Sequence, residues 1–453
     1  MLLSRTTSSQ NPFHLLLSGT PRLPKMRPEQ EPSIQAPSKK VPLPIADGDA
    51  RPWQVLSLLL PFHNPDQKLW WDKVGPLIEI YLNCSGYNVG AQYRYLLMLH
   101  SIILPVLGPF PNSTRTHTSW PYFMNNGDPC DLSINYQGGS APCVRLGIEP
   151  IGPMAGTNQD PMNEYAGRRL LEDLSRIQPG IDFQLFDHFR DTLTLSNYKA
   201  RLCWHAVQEH GIKAQGHVAL DLHEHSFKVK AYSIPLLRSL TSGVHYVRMM
   251  IDSIKMISRD QAITIGLSKV DEYLAATKHL LVDSRSCFSF DCADLQHSRY
   301  KIYVGANVKS LGEAYDFWTL GGRLKGEAID RGFQLMETIW KTMYARSLPD
   351  RKPREYIPFI WNWEVSPTDS DPIPKAYFLV LNDYDILVSE VINCLFGELG
   401  WTEHAMTHQI IQKMAYPNHD FGSSTEIYSW ISLAYSQSKG PYITIYSNPA
   451  ASL

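Results

Sequence analysis

Along Ser298-Arg299-Tyr300-Lys301-Ile302-Tyr303-Val304, Arg299, Lys301 and Tyr303 fall on one parity and Tyr300, Ile302 and Val304 on the other. Side chains alternate faces along a strand, so this run predicts a strand with one cationic and phenolic face and one mostly apolar face. The pattern returns in Phe227-Lys228-Val229-Lys230-Ala231-Tyr232 and in Pro374-Lys375-Ala376-Tyr377-Phe378. It returns more loosely in Cys143–Gly147 and Tyr442–Tyr446. Aligned on Arg145, Lys230, Lys301, Lys375 and Tyr442, the copies recur at intervals of roughly 67 to 85 residues, which marks a repeat.

Each copy reads as the second arm of a hairpin. The first arms are Asp131–Gln137, His217–Leu222, Cys287–Cys292, Phe359–Glu364 and Ile427–Tyr435, with turns containing Gly, Asp, Ser or Pro between the arms. Amphipathic stretches at 166–177, 245–258, 308–320 and 328–345 predict helices between the hairpins. The fold class is therefore α+β: a ten-stranded antiparallel barrel built from five helix-strand-strand-helix repeats, helices outside. Closure removes the exposed edges of an open sheet. The apolar strand faces must then meet the helices, and the Lys, Arg and Tyr faces point inward. One such motif alone reads more simply as a half-buried strand with Lys in solvent. Three copies, with four to five cations on the same side, favour the interior, where such a cluster is costly unless a polyanion meets it.

Ahead of the first hairpin, 67–84 places Trp70, Trp71, Val74, Leu77, Ile78 and Tyr81 on one helical side, and 91–104 continues as a helix. Residues 1–45, rich in Pro, Ser, Gln and Lys without periodicity, read as a disordered extension, leaving 46–453 as a single domain. A targeting segment is the alternative for 1–28, which holds Arg and Lys but no acid. On the inward parity of the first hairpin lie Asp131, Ser133 and Asn135, and on that of the second His217, Ala219 and Asp221.

Composition narrows the partners. Lys and Arg number 42 against 44 Asp and Glu, a formal charge of −2, so there is no basic field for nucleic acid or an anionic membrane. No run of apolar residues is long enough to span a bilayer. Seven cysteines without a C-x-x-C pair suit a reduced, cytoplasmic protein. Phosphate-loop, H-E-x-x-H, G-x-S-x-G and D-D-x-x-D motifs are absent from the sequence. His223-Glu224-His225 reads as a solvated turn rather than a metal site, Asp369-Ser370-Asp371 as a loop ending a strand, and Thr319–Leu324 as a helix stop made by its glycines.

Pro52-Trp53 with Leu56, Trp70-Trp71, Ala91–Tyr95, Gly108-Pro109, Ile148–Gly152, Thr319–Leu324 and the K-x-Y series together resemble the fungal dimethylallyl tryptophan synthase family of aromatic prenyltransferases, over about Trp53 to Tyr446. The resemblance implies the barrel known as the ABBA or PT barrel. It also implies metal-independent transfer of a dimethylallyl group from dimethylallyl diphosphate to an indole-containing or related aromatic metabolite, with no cofactor. Arg145, Lys230, Arg299, Lys301 and Lys375 match the diphosphate-holding cations, although some members carry a neutral amide where Lys375 stands. Tyr232, Tyr303, Tyr377, Tyr442 and Tyr446 match the tyrosines that shield the prenyl group, and Trp430 a neighbouring aromatic position. Asp131 matches an acid, usually Glu, that accepts the indole N–H. His217 stands where members alkylating tryptophan at ring carbon 4 carry Lys; as a base with its ordinary pKa of about 6.5 it would titrate near neutrality, and otherwise it lines the cavity. The family implies no nucleic-acid or membrane partner, and a monomer or homodimer. Two other readings stay open: a non-catalytic barrel for a phosphorylated small molecule, and a Mg²⁺-dependent terpenoid enzyme.

Overall fold

The computed structural model describes residues 51–111, 120, 124, 128–344 and 354–449. The ten strands are β1 Cys130–Gln137, β2 Cys143–Ile148, β3 Gly216–Leu222, β4 Phe227–Ser233, β5 Leu281–Asp291, β6 Tyr300–Val308, β7 Ile357–Ser366, β8 Asp369–Leu379, β9 Tyr428–Ser436 and β10 Gly440–Ser447. They pair antiparallel and close into a barrel, β1-β10-β9-β8-β7-β6-β5-β4-β3-β2. All five hairpins thus fall within a few residues of their expected positions. These elements belong to one compact unit, Val41–Leu453. The extension expected over residues 1–45 lies outside the described residues.

Alternation sets what faces where. Leu220, Phe288, Ile302, Trp361, Phe378 and Leu433 on the outward parity have no exposed surface. They pack beneath helices such as Tyr246–Ile257, Gln261–Ala276, Glu327–Met343 and Asp385–Glu398, whose own apolar stripes are buried against them. The two indoles of β7 belong to this outer layer: Trp361 stacks on Phe317 at 5.5 Å and on Phe359 at 4.9 Å, nearly parallel to both. The opposite parity is left to line the lumen.

Three local expectations change. The helix expected over 91–104 is α-helical only across Val89–Met98, then widens into a π turn at Leu99–Ile103 and tightens at Leu104–Val106. Pro105 carries no N–H and its ring crowds the preceding turn, so regular hydrogen bonding cannot run through it. At 319–324 the helix does stop, but the left-handed turn begins on Leu320, with φ 51°, before Gly321 and Gly322 take φ 66° and 80°. Complete burial of the Leu320 side chain offsets the strain of that conformation in a non-glycine residue. Asp369–Asp371 opens β8 instead of closing a strand, because β7 runs on to Ser366, which pairs with Asp369 across a tight turn. Among the described residues no helix is long and apolar enough to cross a membrane.

Trp361 is sandwiched where sheet and helices meet. Trp361→Ala should destabilise the chain by about 3–5 kcal/mol, read from the denaturant midpoint. A loss under about 1 kcal/mol would mean that the layer between barrel and helices can close over the gap.

Candidate active site

The sequence's cations gather in the lumen, most of them beside a carboxylate on a neighbouring strand. Arg145 on β2 lies opposite Asp221 on β3. Lys230 on β4 lies opposite Asp291 on β5, and Lys301 on β6 opposite Glu364 on β7. Lys375 on β8 lies opposite Asn362, and Arg299 just precedes β6. All five expected diphosphate-binding residues are therefore gathered together.

Charge balance supplies residues that the sequence reading did not assign. Asp221 Oδ1 is 3.0 Å from Arg145 Nε, and its other oxygen accepts from Lys230 Nζ. Arg299 reaches Asp291 at 2.7 Å and Glu364 at 3.2 Å. Lys301 stands 3.5 Å from Glu364 and 3.9 Å from Asp291. The cluster was expected to need a polyanion; three carboxylates already neutralise much of it. Burial alone would raise the carboxyl pKa values, but Arg145 and Lys230 beside Asp221, and Lys301 and Arg299 beside Asp291 and Glu364, hold all three below the ordinary range. All three sit on inward parity in first arms, so cross-strand register was the signal that could have found them. Lys230 feels burial first, then Arg145 and Lys301, against Asp221; its pKa comes down to about 8.

One step along the same strands comes a row of phenols. Tyr232 to Tyr303, Tyr303 to Tyr377 and Tyr377 to Tyr446 are spaced 5.9, 5.9 and 6.0 Å between ring centroids. The K-x-Y spacing explains this, since residues two apart share a face one level on. Tyr442 departs from the expected belt. Its ring stands among the charged side chains, with Lys375 Nζ 5.2 Å from its centroid and Glu364, Arg299 and Arg145 acting on its hydroxyl. Trp430 lies opposite Tyr446, at the belt's end of β9.

Beyond the tyrosines the lumen changes character. Asp131 Oδ1 accepts from the Gly147 N–H at 3.1 Å, and a Cβ on Gly147 would lie 2.4 Å from that oxygen, so a side chain there would displace the carboxylate from this position. His217 stacks on Tyr232 with centroids 3.9 Å apart, and its Nδ1 has no hydrogen-bond partner. Both expected acceptor residues thus lie inside the barrel, on strands separated by β2. The expectation of a histidine titrating near neutrality does not hold: enclosure without a counter-charge pushes its pKa down to about 3. Arg285 is a residue the sequence reading passed over. It sits in an irregular part of β5, over Gly305, and donates to Asn307 Oδ1 at 3.1 Å. Its irregular strand setting hid it, because a bulge re-aims side chains in a way that simple alternation does not anticipate. Glu149, within the Ile148–Gly152 motif, is buried and accepts from Trp120 Nε1 at 3.2 Å. A cleft lined by Trp120, Glu149, Phe186, Gln215 and His217 opens beside this end.

A barrel with an ion-paired cationic end, a middle row of phenols and a polar far end has the parts needed to hold a diphosphate ester against an aromatic acceptor. The family model described as tryptophan dimethylallyltransferase matches residues 66–409. The chain belongs to this family. Its relatives include the reverse prenyltransferase criA of Aspergillus cristatus, 31% identical over 420 residues, which covers 88% of this chain and 94% of that one. Among solved structures, AnaPT from Neosartorya fischeri superposes with a TM-score of 0.80 at 29% identity, covering 89% of this chain and 99% of that one. NotF in complex with brevianamide F and DMSPP gives 0.78 at 26% identity, covering 88% and 99%. The chain is thus a prenyl-transferring enzyme with the ABBA barrel.

His217 also ties the site to stability. The unfolded imidazole protonates below about pH 6.5 while the folded one stays neutral down to about pH 3. The unfolded state therefore binds the extra proton, and stability falls as pH drops from 6.5 toward 3. His217→Gln should lessen the loss between pH 7.5 and 4.5 by about 3 kcal/mol in paired urea titrations. An unchanged loss would mean that the folded ring takes the proton.

Proposed function

We propose that the enzyme transfers a dimethylallyl group from dimethylallyl diphosphate to an indole-bearing acceptor by ionisation and electrophilic substitution, without a metal ion. The observation that carries this is the adjacency of Arg145, Lys230, Arg299, Lys301 and Lys375 to the row Tyr232, Tyr303, Tyr377 and Tyr446. The allylic C–O bond breaks, its electron pair going to the diphosphate oxygen. Preorganised positive charges stabilise that anion as it forms, the role a metal plays elsewhere. Tyrosine faces stabilise the allyl cation through their quadrupoles, by roughly 1–2 kcal/mol each in a dry site, and exclude water from it. Since Asp221, Asp291 and Glu364 are engaged by Lys and Arg, they are committed to ordering the cations.

Asp131 accepts the indole N–H and raises the electron density of the ring, which attacks the cation. The resulting arenium ion is a strong acid, so even the weakly basic His217, its Nδ1 free, suffices to take the ring proton. Tyr442, by its place among the charged side chains, contacts the diphosphate more than the prenyl chain. Arg285 gives the acceptor end a guanidinium suited to a carboxylate or carbonyl oxygen on the acceptor's side chain. NotF, which holds brevianamide F in the same fold, supports an acceptor of that kind. The seven cysteines, all free, fit work in the cytoplasm.

Incubation with dimethylallyl diphosphate and a panel of indole acceptors in EDTA should give products heavier by one prenyl unit. Complete loss of product in chelator, restored by Mg²⁺, would overturn the metal-free mechanism. Asp131→Asn should lower acceptor kcat/KM on the order of tenfold to a hundredfold, the worth of a charge-assisted hydrogen bond, while calorimetric donor Kd stays nearly constant. If the variant loses donor affinity and keeps acceptor affinity, the two ends of the cavity are reversed.

A further inference from the structure

Lys375 is the exception among the five cations. Arg145, Lys230, Arg299 and Lys301 each stand within ion-pair distance of a carboxylate, whereas Lys375 has no such partner among the described residues. It is 7% exposed. Its Nζ lies 4.9 Å from the ring centroid of Tyr377 and 5.2 Å from that of Tyr442. The charged and titratable groups around it come from every side: Arg145 on β2, Lys230 on β4, Lys301 on β6, Glu364 on β7, Tyr377 on its own strand and Tyr442 on β10. Glu364 is engaged by Arg299 and Lys301, and the β9 and β7 residues opposite Lys375, Ala434 and Asn362, are uncharged.

We propose that Lys375 is a neutral amine in the empty barrel and takes up a proton when the donor diphosphate arrives, so that donor binding is proton-linked. Two opposing effects decide its charge in the empty site. Each tyrosine face favours the ammonium by about tenfold. Burial disfavours it by about three to five powers of ten for a fully enclosed group, and three neighbouring cations add to that. Burial wins, with Arg145, Lys230 and Lys301 next, and the Lys375 pKa lies well below its ordinary value. A diphosphate placed against the five cations reverses the balance, because its negative charge stands where Lys375 has none. The Nζ lone pair then accepts a proton from the buffer, and release of diphosphate after transfer returns it.

This rests on the functional reading above, and the test separates the two. Dimethylallyl thiolodiphosphate, which resists ionisation, is titrated into the enzyme by calorimetry at pH 7.5 in buffers of differing ionisation enthalpy. Lys375→Arg keeps a permanent charge and Lys375→Gln a neutral side chain, so neither can take up this proton. The native enzyme should take up about one proton more per site than either variant. Equal proton counts in native enzyme and variants would overturn the proposal alone. Failure of the native enzyme to bind the analogue would overturn the functional reading along with it.

Discussion

Closing ten strands into a ring covered by helices leaves no choice about the inside. Every second residue must face a lumen with little access to bulk water, and a charge there needs a partner close by. Arg145 and Lys230 share Asp221, while Arg299 and Lys301 share Asp291 and Glu364. This lattice of opposite charges makes a cationic site compatible with a folded barrel. It also leaves the site a net positive charge to offer a ligand, and leaves Lys375 without a carboxylate partner among the described residues.

The same constraint orders the chemistry along the axis. Because residues two apart on a strand stand one level apart on the same face, a K-x-Y sequence becomes a cation beside a phenol. Three such pairs, Lys230 with Tyr232, Lys301 with Tyr303 and Lys375 with Tyr377, set a group of cations beside a row of phenols. Tyr446 extends the phenol row. Beyond it, Asp131 keeps its present position because Gly147 opposite has no side chain. The acceptor end is therefore built by subtraction as well as by placed groups.

Burial divides the titratable side chains into two kinds. Those with a counter-charge, such as Asp221, keep the ionised form despite enclosure. Those without one, His217 and Lys375, are pushed toward neutrality. Identity alone would make the first an ordinary near-neutral base and the second an ordinary cation. Enclosure changes both.

Period-two alternation recurring at a roughly constant interval was sufficient, from sequence alone, to establish ten strands, their pairing into five hairpins and the inward direction of Arg145, Lys230, Lys301 and Lys375. These follow from local geometry, which repeats along the chain. What only the tertiary structure decided is whatever depends on register between strands or on departures from regularity. The place of Tyr442 among the charged groups depends on how the strands approach across the lumen. The ion pairs of Asp221, Asp291 and Glu364 depend on which inward residues meet across strands. The inward Arg285 depends on the irregularity of β5. The suppressed basicity of His217 depends on its enclosure against a neighbouring aromatic ring. Alternation reports the face of each residue; closure of the barrel determines its company.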